Sequence, residues 1–113
     1  MTIAKPVSAE PEVIVTDWAV VDMPGGGYRL VGVHVGTQRG RITSPIVALD
    51  LHGLEVQTAS GRRYSLRGPE DRDAAAKLMN GFYVALGGVP DGTRFVLPDD
   101  VALALARIPE RWS

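Results

Sequence analysis

Histidine is the side chain that exchanges a proton near neutral pH, and this chain carries two, His34 and His52. His34 falls in a run of strand character and His52 in a turn. A metal centre would need further ligands around either one, and no Asp or Glu stands at a matching helical spacing. There is no cysteine, so thiolate zinc sites, disulfides and cysteine nucleophiles are excluded. A Ser/His/Asp triad is assembled in space and stays open as an alternative, although no serine sits in a G-x-S-x-G elbow. The glycine run Pro24-Gly25-Gly26-Gly27 has the composition of a phosphate cradle. A phosphate loop needs a helix behind it, with a lysine and a hydroxyl residue. Here strand character follows, which makes a hairpin turn the expected reading.

Carboxylates gather in two places: Glu70, Asp71 and Asp73, then Asp91, Asp99 and Asp100. Both groups lie near expected helix starts, where acidic side chains cap the helix and complement its dipole. Arginine is the more uneven residue. Between positions 39 and 67 stand Arg39, Arg41, Arg62, Arg63 and Arg67 against Asp50 and Glu55, a surplus of three positive charges in a chain of net charge −1. Guanidinium groups brought together on one side of a sheet suit a phosphate backbone or an acidic protein surface. These five arginines are the candidate partner-binding residues.

The elements that must position them follow from the spacing of apolar residues. A chain of 113 residues fits one domain with its own core. Residues 1–11 read as a flexible tail and 12–113 as a single domain. Residues 13–21 are rich in β-branched side chains, as strands are. After the glycine turn, 28–36 resumes the strand period, with Val31, Val33 and Val35 on one face and Tyr28, Leu30, Gly32 and His34 on the other. Residues 37–43 read as an exposed loop. A three-stranded meander is expected over 44–51, 54–58 and 62–66. Its first strand is apolar on both faces, which predicts a central place in the sheet or cover on both sides.

Past Gly68 the period changes. Ala75, Leu78, Met79, Phe82 and Leu86 recur at helical steps, which predicts an amphipathic helix over about 70–86 packed on the sheet. Residues 93–97 form a short strand. A second helix follows, with Asp99 as N-cap, an apolar edge of Val101, Leu105 and Ile108, and Pro109 as its stop. The expected fold is α+β: an antiparallel sheet of a hairpin plus a meander, with one amphipathic helix and a short C-terminal helix. The apolar strand 44–51, with Trp18 and Trp112, predicts a homodimer; closure of the sheet into a barrel is the monomeric alternative.

Thr43-Ser44-Pro45-Ile46, followed by Thr58-Ala59-Ser60-Gly61-Arg62-Arg63-Tyr64-Ser65-Leu66, resembles a pattern in small phage- and plasmid-borne accessory proteins. The resemblance covers about 25 residues, none of a catalytic type. It implies an accessory protein of a mobile element, of the kind that binds and blocks a host defence complex as anti-CRISPR proteins do. The expected function is therefore non-enzymatic protein binding, with no cofactor and no metal, in the cytoplasm. A nucleic-acid-binding β domain using the arginines, and a small enzyme with a histidine pocket, are the alternatives. The near-neutral charge argues against bulk coating of nucleic acid, and no apolar run approaches the ~20 residues of a membrane span.

Overall fold

The computed structural model describes residues 9–106. Six strands and two helices follow one another as β1 (Glu12–Met23), β2 (Gly27–His34), β3 (Arg39–Asp50), β4 (Glu55–Thr58), β5 (Arg63–Leu66), α1 (Arg72–Tyr83), β6 (Arg94–Val96) and α2 (Pro98–Ala106). A 3-10 turn, Val84–Leu86, extends α1. The class is α+β with a mostly antiparallel sheet, as the residue pattern predicts. No described helix is long and apolar enough to cross a membrane.

The sheet curls into an uneven ring. β1 to β5 pair antiparallel in chain order, and β5 returns to β1 by a short parallel ladder from Glu12↔Arg63 to Val15↔Leu66. A meander of five strands brings its first and last strands together pointing the same way, so this closing pair has to be parallel. β6 takes over the same flank of β1 further along, pairing Val20↔Val96 to Asp22↔Arg94. One long strand can serve both neighbours because it bends at Asp17, whose φ is 51° and where the register with β2 shifts.

That bulge also resets the inside-out alternation. Val13 and Val15 face the ring interior before it; Trp18 and Val20 face it afterwards. Without the extra residue Trp18 would turn outward, since a one-residue slip reverses every side chain of a strand. Inside the ring these residues meet Leu30, Ile46, Val56, Tyr64 and Leu66, with Val101 of α2 packed among them. On the outer face, Ala19, Val21, Met23 and Val31 pack against Ala75 and Met79 of α1.

Several expectations need correction. β3 begins at Arg39, so most of the predicted loop 37–43 is strand. Its apolar run lies centrally, between β2 and β4, as one of the two expected readings has it, but it is not covered on both faces: Ile46 is buried, while Val47 stands at a register shift and is 50% exposed. α1 starts at Arg72, and Asp71 is its N-cap, accepting from the Ala74 amide at 3.0 Å. α2 starts at Pro98, which puts Asp99 and Asp100 in its first turn and leaves the cap position to Leu97. Of the Leu/Met/Phe stripe, Met79 is buried, whereas Leu78 and Phe82 are half-buried. Ile108, Pro109 and Trp112 lie outside the described residues. Positions 9–11, assigned to the tail, dock on the ring: the Arg63 amide donates to Pro11 O at 2.9 Å.

Candidate binding groove

β3 pairs with β2 along its first half and with β4 only from Ile46 onward. Between them, the Ala59 amide donates to Pro45 O and the Ser60 amide to Ser44 Oγ. Among the described residues, the outer edge of β3 over 39–42 is therefore unpaired. α1 runs beside this edge. The two elements enclose a groove of about 720 Å³ lined by Arg39, Gly40, Arg41 and Ile42 of β3, and by Lys77, Leu78, Gly81 and Phe82 of α1, with Ala85 and Leu86 beyond.

The two sides of the edge differ in chemistry. Gly40 and Ile42 face α1: a Cβ on Gly40 would come within 2.6 Å of Leu78 Cδ2, and Ile42 packs on the outer core. By the two-residue period, Arg39 and Arg41 point the other way. Their cross-strand partners are His34 and Gly32. Lys77 adds a third cation from α1, and among the described residues no carboxylate lines the groove. Neither Arg39 nor Lys77 has an ion pair among the described residues. Ile42, Leu78 and Phe82 are half-buried and Leu86, at one end, is 73% exposed, so the groove offers accessible apolar surface. Gly81, inside α1, has open space where a Cβ would stand.

Arg41 also belongs to a polar knot beneath the strand. Its Nη2 lies 3.6 Å from Glu10 Oε1, and His34 Nε2 lies 3.1 Å from Glu10 Oε2. His34 Nδ1 accepts from the Gly36 amide at 2.9 Å, so Nε2 carries the proton and donates to the carboxylate. Arg62 Nε donates to the Glu10 carbonyl at 2.9 Å. The knot ties the entry of β1 to β2, β3 and the β4–β5 turn. Arg41 Nη1 is buried without a hydrogen-bond partner among the described residues.

The five arginines do not form one patch. Arg39 and Arg41 reach the groove; Arg62 is buried in the knot; Arg63 pairs with Glu12 at 2.8 Å; Arg67 lies past the far end of β5, beside Asp17 and Glu70. His34 has both ring nitrogens engaged within the fold, and His52 is exposed in the β3–β4 turn. Among the described residues no cluster of three or more His, Asp or Glu could hold a metal. Pro24–Gly27 forms the hairpin turn, with Gly25 and Gly27 at φ 69°.

Sequence reading missed Lys77, Gly81 and Glu10. A glycine inside an otherwise good helical run was the available signal for Gly81. Nothing local marks Glu10, whose partners lie 24 to 52 residues away. The residues of the Thr43–Ile46 and Thr58–Leu66 stretches have places in the fold. Thr43 Oγ1 accepts from the Leu30 amide at 3.1 Å where β2 and β3 slip register, Thr58 and Ser60 hydroxyls bond at 3.0 Å across the turn, and Tyr64 is core. No protein-family model, curated protein or solved structure matches the chain.

Proposed function

We propose that this protein is a non-enzymatic binding domain that takes hold of another protein through the groove between β3 and α1. The observation that carries this reading is one accessible groove in which apolar side chains of α1 stand beside Arg39 and Lys77, two cations without an ion pair and with no acidic residue in the lining among the described residues. Apolar contact provides affinity and the cations provide selectivity for an acidic surface. His34 serves the fold through both ring nitrogens, which favours binding over histidine-based catalysis. In a mobile-element setting, as the Thr43–Ile46 and Thr58–Leu66 resemblance implies, occupation of a host protein would act as blockade. The nucleic-acid alternative is less favoured, because Arg62 and Arg63 are engaged by Glu10 and Glu12 and no continuous basic stripe results.

A photo-cross-linking side chain at Gly81, compared with one at exposed Gln57 on β4, tests the reading in cells of the source organism. We expect a discrete protein adduct from position 81 only, which disappears in an Arg39→Glu, Lys77→Glu background. Equal adducts from both positions, or none from 81, would overturn it.

A further inference from the structure

The groove does not lie over a finished sheet; it follows a strand edge. Over 39–42 the outer edge of β3 has no partner strand among the described residues, although its inner edge is fully laddered to β2. An edge of this kind offers backbone donors and acceptors to an incoming extended segment. α1 stands beside it, so a strand added there would lie with one face on α1 and the other over Arg39 and Arg41. Gly81 lines the groove on the helix side and leaves open space there.

We infer that the partner enters as an added β-strand beside residues 39–42, with apolar side chains facing α1 and carboxylates at the alternating positions. This rests on the groove being the binding site. The register follows from the period of two: residues i, i+2 of the guest meet Leu78 and Phe82, and residues i+1, i+3 meet the guanidinium side. Charge complementarity selects an acidic guest, because Arg39, on the side away from α1, carries no counter-ion among the described residues, and Lys77 adds positive charge from the α1 wall. The chain's own outer segments do not match. Positions 1–8 carry Lys5 and no acid, and 107–113 carry Arg107 and Arg111 against Glu110.

The test uses the full chain, isotope-labelled, with a short capped peptide alternating Glu and Val. One control has the same composition ordered for a helical stripe; another replaces Glu by Lys. We expect the alternating acidic peptide to shift the amides of Arg39, Gly40, Arg41 and Gly81 and to slow hydrogen exchange along the β3 edge. Binding should weaken at least about tenfold in Arg39→Glu, Lys77→Glu. Gly81→Leu, which puts a bulky side chain into the groove from a position open at Cβ, should weaken it similarly. Tighter binding of the helical-stripe or Lys peptide, or shifts without slowed exchange at β3, would overturn strand addition. So would failure of every peptide. The cross-link at position 81 is read independently, so any of these outcomes with a retained adduct sinks the strand mode alone, and loss of the adduct as well sinks the binding site.

Discussion

Met79 and Phe82 stand about one turn apart on α1 and meet different surroundings. Met79 is 3% exposed, packed among Ala19, Val21, Met23 and Val31. Phe82 is half-buried, lines the groove and meets Tyr83 edge-on at a ring distance of 4.9 Å. Met79→Ala leaves a cavity in a closed core and is expected to cost about 2–4 kcal/mol. Phe82→Ala removes a larger side chain, yet one that already faces open space, and should cost about 1–2 kcal/mol, below the usual core range. Urea unfolding of the two variants checks the order. If Phe82→Ala proves the more costly, the aromatic ring supports the fold and the groove wall is not an exposed binding surface.

At the scale of the element, two glycines make opposite predictions about one contact. Gly81 is an exposed helix-interior glycine with nothing near its Cβ position, so Gly81→Ala should stabilise by about 0.5–1 kcal/mol through backbone propensity. Gly40 lies where β3 touches α1, and a Cβ there would meet Leu78 at 2.6 Å. Gly40→Ala should therefore destabilise by at most about 1 kcal/mol, because only the tip of the half-buried Leu78 side chain has to turn aside. Thermal melts of both variants decide this. The same elements mark how far sequence reasoning reaches. The hairpin, the meander and the stripe on α1 were legible, because each rests on neighbours within a few positions. The bends at Asp17 and Val47 were not. A bulge leaves no compositional trace but reverses the alternation, which is why residues 44–51 read as apolar on two faces while the strand uses Ile46 and then Leu49 on the same side. The arginine surplus was visible, yet the assignment of Arg62 to a knot and Arg39 to a groove depends on Glu10 and α1, which no local spacing reports.

For the whole molecule, the expected homodimer rested on uncovered apolar surface, and the ring removes much of that reason. Trp18 is 5% exposed inside it, and α1 covers the outer face of β1 and β2. Besides the three-residue outer edge of β6, the β3 edge over 39–42 stays open to self-pairing among the described residues. Two copies joined there about a two-fold axis would bring Arg39, Arg41 and Lys77 of each against the same residues of the other. Like charges opposed across a strand pair are unfavourable, and charged side chains at an edge are a common guard against such pairing. Wild-type protein at micromolar concentration in low salt should therefore scatter light as a particle near 12.1 kDa, the mass of one chain. Replacing Arg39 and Lys77 together by Val removes most of the guard while raising the strand propensity of the edge. The mass of that variant should rise toward twice the chain mass with concentration, with slowed exchange at residues 39–42. A wild-type dimer in low salt would mean that another surface holds the copies together. A charge-depleted variant that stays monomeric would mean that the edge is closed to any added strand, and the guest inferred above would lose its place. The cations that keep a second copy off this edge are the ones that would draw an acidic strand onto it.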